Sequence, residues 1–389
     1  MEDFRRKVAI VGVAESDLGE VHDKTELQLH IQAAVRAMED AGISKDEIDG
    51  VISLGNSRLM RTPSMQIAEY LQITPTFTDT TSIGGSSFEA HVEHAAAAIA
   101  AGLCETCLIT YGSKQRTNRS RSLGGHPAED WFPGSQFEAP FGLPMMVGAY
   151  ALAATRHMHL YGTTPEQLAG IAAASSRWAA MNPVAFRREP ITVQDVLASP
   201  MICSPLHKLD CCLVTDGGGA VILTTVEKAK TLKKAPIYLW GSATAHTHQH
   251  ISQMPELTVT PAKITGERAF KSAGITPKDI DVVQVYDSFT ITVIETIEDL
   301  GFCPKGEGGS FLSEDRISPG GDFPMNTQGG GLSYCHPGMF GIFLIIEAVR
   351  QLRGECGPRQ VKDANLALCH GTGIALSSGG TLILGREPR

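Results

Sequence analysis

The sequence lacks the features that mark several large classes of protein. It contains no apolar run of the roughly 18 residues that a membrane-spanning helix requires. Basic residues are not in excess: 33 Lys and Arg stand against 42 Asp and Glu, whereas a nucleic-acid-binding protein carries a basic face. Residues 1–7 run directly into a strand-like apolar segment, which leaves no room for a signal peptide. We therefore expect a cytoplasmic protein whose partners include neither a membrane nor a nucleic acid.

Signals for metals and cofactors are also sparse. The nine cysteines are an odd number spread over 389 residues, which is not the pattern of a disulfide framework, so we expect reduced thiols. No glycine-rich phosphate loop of the Walker or dinucleotide type is present. Cys104 and Cys107 form a lone Cys-x-x-Cys motif without further ligands. The sequence predicts neither a metal site nor a permanently bound cofactor.

An internal repeat dominates the organisation of the chain. Strand-like runs alternate with helical patterns, as in α/β proteins. Residues 41–51 recur in similar form at 273–283, and each copy ends a helix at glycine and enters a strand. An apolar helix followed by a short strand also recurs later in each half. The sequence therefore predicts duplicated halves, 1–228 and 229–389, with an irregular insertion at about 114–200 of the kind that lines substrate sites.

The strongest local pattern lies in the second half, from Asn326 to Pro337. This glycine-rich run leads into a helical pattern that ends at Gly354. Proline is favoured at the first position of a helix, so we expect the helix to begin at Pro337. His336 would then lie beside the positive end of the helix dipole, which favours its neutral form and a role as a base.

The same run resembles a motif of the thiolase superfamily, Asn-x-x-Gly-Gly-x-x-x-x-Gly-His-Pro, without a gap. Cys335 stands where that motif has its last glycine. Three further segments resemble thiolase motifs. Residues 210–217 resemble the loop that holds the pantetheine arm of coenzyme A (CoA), residues 286–289 resemble the Asn-Glu-Ala-Phe motif or its variant His-Asp-Cys-Phe, and residues 369–371 resemble the Cys-x-Gly motif. Along the chain they follow the same order as in the family. The chain is identified on these motifs as a member of the superfamily, most similar to sterol-carrier-type and archaeal-type thiolases.

The resemblance implies a fold and an assembly. The fold is α/β, with two duplicated βαβαβαββ halves in a layered α-β-α-β-α arrangement and a loop insertion in the first half. Thiolases typically form homodimers, and we expect the interface near the helix that carries the small residues 95–98. Several related thiolases work with a small zinc-ribbon and OB-fold protein, so such a partner is expected in a hetero-oligomer.

The resemblance also assigns roles to residues. His336 would activate a thiol and help to bind the thioester oxygen, and Asn326 is a further catalytic candidate. Cys369 takes the acid/base position by spacing, whereas His370 suits proton transfer near neutral pH better, and only one of two strand neighbours can face the site. Tyr286 would donate a hydrogen bond to an enolate oxygen. The residues expected to contact CoA are Cys211, Cys212, Leu213, Ser288 and Phe289.

The nucleophile of the thiolases is missing. The family keeps a cysteine before a small-residue helix in the first half, but residues 81–90 contain none. Counting back from Gly102, which ends that helix, places Gly85 at the nucleophile position, whereas anchoring on the glycine of the motif places Ser82 there. A glycine would clear space for the CoA thiol itself. His336 could then deprotonate that thiol for direct attack within a ternary complex.

Other side chains stay as alternatives for covalent attachment. A serine at 82, 86 or 87 would need a strong base to ionise its hydroxyl. Cys335 lies near the expected helix N-terminus, a setting that lowers the pKa of a thiol. Asp287 either belongs to the site or caps the helix that follows it.

Three functions fit these motifs. The first is an acyltransferase that cleaves or forms a C–C bond in a 3-oxoacyl-CoA, with CoA as co-substrate and no acyl-enzyme; retention of His336 favours it. The second is a retro-aldolase of the same fold, acting on a 3-hydroxyacyl-CoA and relying on Tyr286 and Tyr334. The third is a non-catalytic acyl-CoA-binding or lipid-binding protein. Kinetics with and without free CoA separate the three.

Overall fold

The computed structural model describes residues 3–54, 62–120, 133–143 and 146–389. Within them the strands are β1 (Val8–Glu15), β2 (Gly50–Ser53), β3 (Phe77–Asp79), β4 (Thr106–Ser113), β5 (Met201–Cys203), β6 (Leu206–His207), β7 (Gly217–Thr225), β8 (Ile237–His246), β9 (Val282–Val285), β10 (Leu366–Gly373) and β11 (Ser378–Gly385). The α-helices are α1 (Glu26–Ala41), α2 (Pro63–Leu71), α3 (Ser87–Ala100), α4 (Pro133–Phe137), α5 (Met146–Tyr161), α6 (Pro165–Ala180), α7 (Val193–Ala198), α8 (Val226–Ala229), α9 (Ala262–Ala273), α10 (Thr290–Asp299), α11 (Gly308–Phe311), α12 (Glu314–Ile317) and α13 (Gly341–Arg353). In this part of the chain, no helix combines the length and the apolar character needed to cross a bilayer.

One mixed sheet contains nine of these strands, in the order β3-β2-β4-β7-β1-β8-β11-β10-β9. β1 and β8 join through two residues each, Ala9 with Tyr238 and Ile10 with Ile237. Counted outward from this joint, the first four strands of the first half are β1, β7, β4 and β2, and those of the second half are β8, β11, β10 and β9. In both halves this is the order first, last, last but one and second along the chain, when the separate β5–β6 hairpin is not counted. Such a mirrored order is what two copies of one unit produce. The domain boundary at residues 228–229 falls within α8 and stays a prediction.

The second half departs from the predicted βαβαβαββ pattern in one strand. Residues 229–389 are all described, and they contain four strands rather than five. In place of the third, Met325 forms a single parallel bridge with Val283. The next residue, Asn326, has a φ of 47°, in the left-handed region, so the chain turns away before a longer strand can form.

Helices lie outside both halves and also between them. α1 and α2 cover the outer face of the first half, and α9 and α10 cover that of the second. α3 and α13 contact each other and strands from both halves, so they form a central layer. The layers therefore follow the predicted α-β-α-β-α order.

The small residues of α3 serve this internal packing. Ala95, Ala96 and Ala98 are buried in the central core, whereas Ala97 is exposed. Three of the four small residues are therefore occupied by packing within one chain, and the expected dimer interface through strands near this helix stays a prediction. These alanines let α3 approach α13 within one chain.

The insertion packs onto the second half rather than the first. Its helices α5 and α6 contact α10. The buried His157 on α5 hydrogen-bonds through Nε2 to the Glu298 carboxylate on α10 (3.0 Å) and through Nδ1 to the Thr163 hydroxyl (2.8 Å). Lys305 pairs with Glu298 (3.2 Å) and with Asp299 (2.7 Å). These contacts fix α5 against α10, whose N-terminal end reaches the candidate site.

A charged cluster joins β1 to the central layer. Glu15 accepts two hydrogen bonds from Arg350 on α13 (2.6 and 2.5 Å) and one from the Tyr334 hydroxyl (2.8 Å). Burial alone would raise the pKa of Glu15, but Arg350 and Tyr334 hold it below its usual value. The resulting stability is present above the pKa of an unfolded glutamate, about 4.3. It is lost as the pH falls through the lower folded-state pKa.

We predict that Glu15→Gln lowers the free energy of unfolding by about 2–3 kcal/mol at neutral pH, because Arg350 loses its charged partner at a largely buried site. Glu20→Gln is the matched control. Its pair with Arg116 has side chains that are 48% and 37% exposed, and losing it should change the free energy by less than about 1 kcal/mol. Urea unfolding measures both variants at neutral pH and in acid. Equal losses in the two variants, or a Glu15→Gln loss undiminished in acid, would contradict this account.

Candidate active site

A cleft of about 420 Å³ lies where the carboxyl ends of β4, β9 and β10 meet the insertion. Ligands of open α/β sheets bind at the carboxyl ends of strands. Six of the predicted residues line the cleft: Gly85, Cys212, Tyr286, Ser288, Phe289 and His336. Six others do not, although all are described: Ser82, Cys211, Leu213, Asn326, Cys369 and His370.

Tyr286 and His336 form the polar pair at the centre of this cleft. The phenol oxygen lies 2.8 Å from His336 Nε2, and the two rings meet edge to face, with centroids 5.6 Å apart. Both side chains are buried. The His336 ring stacks on Phe340, and its backbone N–H donates to the Thr215 hydroxyl (3.0 Å). The pair is therefore held in one geometry, in which a proton can pass between the oxygen and the nitrogen.

The Tyr286 ring occupies the space in front of Gly85. A Cβ atom on Gly85 would lie 2.2 Å from Tyr286 Cε2 and 2.5 Å from the Thr372 carbonyl oxygen. Gly85 thus makes room for the phenol ring. The expectation that it clears space for the CoA thiol is wrong at this position, because the ring already fills that space. Ser82, the alternative nucleophile, is exposed and is not among the residues that line the cleft.

Asp287 holds the glycine-rich turn beneath the pair. Its carboxylate accepts hydrogen bonds from the backbone N–H groups of Gly331 (2.6 Å) and Leu332 (3.2 Å). A Cβ atom on Gly330 would lie 2.0 Å from Asp287 Oδ2, so only glycine permits this approach. Burial raises the pKa of Asp287 to about 8. Asp287 therefore has a structural role, but it binds this turn rather than capping α10.

The chain before α13 differs from the sequence-based expectation. A π-type turn spans Gly330–Tyr334, and α13 begins at Gly341 rather than at Pro337. The helix-dipole argument for a neutral His336 is therefore wrong, because that effect is confined to the first turn. Asn326 points its Oδ1 at the Val285 N–H (2.9 Å), so it ties the turn to β9 instead of facing the cleft.

Comparisons with known proteins agree with this geometry. Residues 243–386 match the family model described as thiolase C-terminal domain-like. The acetyl-CoA acetyltransferase of Methanothermobacter thermautotrophicus is 34% identical, over 97% of this chain and 98% of that protein. The chain belongs to the thiolase superfamily. The steroid side-chain-cleaving aldolase of Thermomonospora curvata is 32% identical, over 97% of this chain and 98% of that protein. The solved structure of the Ltp2-ChsH2(DUF35) aldolase has a TM-score of 0.88 at 31% identity, covering 98% of both chains.

The relatives of this thiolase-superfamily chain include both an acyltransferase and aldolases. The protein is therefore a thiolase-like acyl-CoA enzyme. Its fold is the thiolase fold, as the internal repeat and the motifs predict. The choice between acyl transfer and C–C lyase chemistry depends on the residues in the cleft.

The cysteine motif of the superfamily lies behind the cleft. Cys369 is buried in the central core with its Sγ 3.6 Å from the Leu344 carbonyl oxygen, and burial raises its pKa well above the usual value. His370 points to the opposite face of β10, where Nδ1 contacts the Thr381 hydroxyl (2.8 Å), and burial lowers its pKa to about 3. Neither of the two alternatives faces the cleft. The β10 residue that lines the cleft is Thr372.

The segment expected to hold the pantetheine arm runs beside the 286–289 motif. The Cys212 N–H donates to the Ser288 carbonyl (2.9 Å), the Leu213 N–H donates to the Gly331 carbonyl (2.8 Å), and Cys211 bridges Phe289 in antiparallel fashion. The backbone of this thiolase segment is thus part of the cleft's frame. The role of these residues in CoA binding stays a prediction.

A second tyrosine lines the cleft, and sequence reasoning missed it. The ring of Tyr150 on α5 packs at a tilt against Phe289, with ring centroids 4.4 Å apart, and its hydroxyl donates a hydrogen bond to the Ile374 carbonyl (2.9 Å). Burial raises the pKa of Tyr150 to about 12. Tyr334, the tyrosine expected for an aldolase, instead points at Glu15. No thiolase motif covers the insertion, so no signal in the sequence distinguished Tyr150.

The other candidates for covalent attachment are engaged elsewhere. Cys335 is fully buried, and burial, with Glu15 and Asp287 nearby, raises its pKa well above the usual value; the expected lowering is wrong. The Ser86 hydroxyl contacts the Ser378 hydroxyl (2.7 Å), and Ser87 donates to the Gly84 carbonyl (2.6 Å). These groups are not presented to a substrate in the cleft.

We predict that Gly85→Ala lowers the free energy of unfolding by about 1–3 kcal/mol and turnover by at least about tenfold, because its methyl group must displace the Tyr286 ring. Gly170→Ala on α6 is the control, since its Cβ would meet Glu314 at an ordinary 3.7 Å; we expect little change or a slight gain in stability. Thermal unfolding and activity assays compare the two. If Gly85→Ala behaves like Gly170→Ala, the ring does not occupy this space.

Proposed function

We propose that this chain cleaves the C2–C3 bond of a 3-hydroxyacyl-CoA by a retro-aldol reaction, without an acyl-enzyme. One observation carries the proposal. The Tyr286 ring takes the space of the missing nucleophile, and its hydroxyl lies 2.8 Å from His336 Nε2. A paired phenol and imidazole supply acid–base chemistry and no nucleophile.

The reaction needs two proton movements, and the pair can serve both. A base removes the proton from the 3-hydroxyl group, and C3 becomes a carbonyl as the C2–C3 bond breaks. The bond electrons move into the thioester as an enolate, which then takes a proton at C2. In this scheme His336 accepts the hydroxyl proton, Tyr286 donates a hydrogen bond to the enolate oxygen, and the protonated pair returns the proton to C2. The products are an aldehyde or ketone and a shortened acyl-CoA.

Similarity to known proteins supports this proposal without deciding it. The Thermomonospora protein and the Ltp2-ChsH2(DUF35) complex are both named as aldolases, and each matches nearly the whole chain. The acetyl-CoA acetyltransferase is equally similar. The geometry at Gly85 is what favours the aldolase.

A second candidate function is CoA-dependent cleavage of a 3-oxoacyl-CoA, and one observation favours it. His336 keeps the histidine position of the thiolase motif and lines the cleft. There it could deprotonate CoA, whose thiolate would attack the C3 carbonyl in a ternary complex. This route requires the Tyr286 ring to move, since the ring fills the space in front of Gly85.

Steady-state assays separate these candidates. A series of 3-hydroxyacyl-CoA and 3-oxoacyl-CoA thioesters is incubated with the protein, with and without free CoA. The retro-aldolase cleaves the hydroxy compounds without CoA. Cleavage only of oxo compounds, and only with CoA, would establish the second candidate. Binding without any cleavage would show the non-catalytic acyl-CoA-binding protein.

We predict that Tyr286→Phe lowers turnover by about 10²–10⁴-fold, the range expected for losing an acid–base group, with a smaller effect on substrate binding. Tyr238→Phe is the control, because Tyr238 is buried on β8 outside the cleft. His336→Ala is compared with the same Tyr238→Phe control, and we expect it to lower turnover within the same range. Near-normal turnover in Tyr286→Phe would remove the phenol from the mechanism.

We also propose a homodimer and a small zinc-ribbon and OB-fold partner. β3 is the outermost strand of the sheet on the first-half side, and an open strand edge favours pairing with a second copy. The Ltp2-ChsH2(DUF35) relative is named with a second component, which supports the partner. Light scattering of the chain alone and with a candidate partner tests both. A monomer at micromolar concentration would count against the dimer.

A further inference from the structure

Glu89 is a carboxyl group that the proposed mechanism does not use. It lies in the first turn of α3 and is fully buried, and neither oxygen has a hydrogen-bond partner in another described residue. An ionised carboxylate is strongly unfavourable in such a place. Burial accordingly raises the pKa of Glu89 to about 8, so the group is neutral at pH 7.

Glycines from three elements make room for this side chain. A Cβ atom on Gly371 of β10 would lie 2.1 Å from Glu89 Oε2, and one on Gly341 of α13 would lie 2.7 Å from the same atom. A Cβ atom on Gly380 of β11 would lie 2.6 Å from that of Glu89. None of these three glycines has a positive φ, so each is required for space rather than for conformation. The carboxyl group therefore lies in a niche that the fold provides.

The niche lies directly behind the cleft. The Cβ position on Gly341 is also 2.4 Å from the Gly85 carbonyl oxygen, so Glu89 and this carbonyl border the same space. The Tyr286 ring lies against the Cβ position of the same glycine. The Gly85 backbone thus separates the carboxyl group from the Tyr286–His336 pair.

The groups that face Glu89 supply no counter-charge. From β10 the titratable neighbour is Cys369, whose thiol has a pKa raised well above its usual value by burial and by Glu89 itself. α13 and β11 face it with Gly341 and Gly380. A charge formed on Glu89 would therefore act on the cleft without compensation from these elements.

We propose that Glu89 controls the electrostatic environment of the Tyr286–His336 pair from behind the cleft. While protonated, it leaves the cleft free of negative charge. When ionised, it opposes the enolate charge that forms in front of Gly85. This inference rests on the proposed function, which places the enolate there. The interaction between two unit charges at an effective dielectric constant near 20 is of the order needed to change a rate by about tenfold across one layer of backbone. We therefore expect kcat to fall by about that factor as Glu89 ionises.

The pH dependence of kcat tests this role. Glu89→Gln keeps the shape of the side chain but cannot ionise, so its kcat should not fall between about pH 7 and pH 9, on either side of the wild-type titration. Glu295→Gln is the matched control. Glu295 is also fully buried without hydrogen-bond partners in the described residues, but it lies on α10, outside the cleft, and its variant should keep the wild-type fall. An equal fall in Glu89→Gln would overturn the proposal.

A second measurement is independent of the reaction. The imidazole resonances of His336 are followed by NMR of histidine-labelled protein as the pH rises. Wild type and Glu295→Gln should show a step near pH 8, and Glu89→Gln should not. If the Glu89→Gln variant does not fold, the Glu89→Met variant is measured in its place. Absence of the step in wild type overturns the role of Glu89, whereas absence of any cleavage overturns only the proposed function.

Discussion

A single steric exclusion governs the candidate site: the Tyr286 ring and a side chain at position 85 cannot occupy the same space. In a thiolase with its cysteine, the nucleophile extends from this position. Here the backbone comes close enough to touch a phenol ring, and the reactive group enters from the second half instead. In the proposed mechanism the chemistry changes with it, from covalent transfer through a thioester to proton transfer by a phenol–imidazole pair. The fold is unchanged by this exchange.

The polar pair keeps its geometry because its supports come from separate elements. Asp287 holds the turn that precedes His336, and Thr215 holds the His336 backbone. The insertion closes the cleft from the other side and is fixed to α10 by His157 and Glu298. The 2.8 Å contact between phenol and imidazole is nearly excluded from solvent, which strengthens the hydrogen bond. A substitution at any of these supports should disturb the geometry of the pair, although neither Tyr286 nor His336 is itself changed.

Much of the fold follows from local patterns, and part of the site does too. The repeat at 41–51 and 273–283 and the order of the motifs predict the layers, because the same passage from helix to strand recurs from α1 to β2 and from α9 to β9. The same alignment brings Tyr286, His336 and Gly85 together. Strand alternation correctly separates Cys369 from His370, but it cannot tell that the cleft lies further along β10.

The errors have local physical causes. Pro337 resembles a helix start, yet the preceding π-type turn and an extended Cys335 delay α13 to Gly341. The same expected helix start made Cys335 an alternative for covalent attachment, whereas tertiary packing buries it. Tyr150 belongs to an insertion outside every motif, and only the packing of α5 on α10 brings it to the cleft. Motifs specify backbone positions well, but they do not specify which neighbouring side chains tertiary packing brings alongside.

The absence of an acyl-enzyme is the central claim, and a single-turnover experiment tests it most directly. The protein, in excess over a 3-hydroxyacyl-CoA and without free CoA, is quenched at intervals, and both its mass and the organic products are measured. The account predicts equal amounts of a carbonyl product and a shortened acyl-CoA, with the mass of the protein unchanged throughout. An acyl adduct that forms and decays with the product, mapped to Cys212, Cys335 or a serine near Gly85, would contradict it.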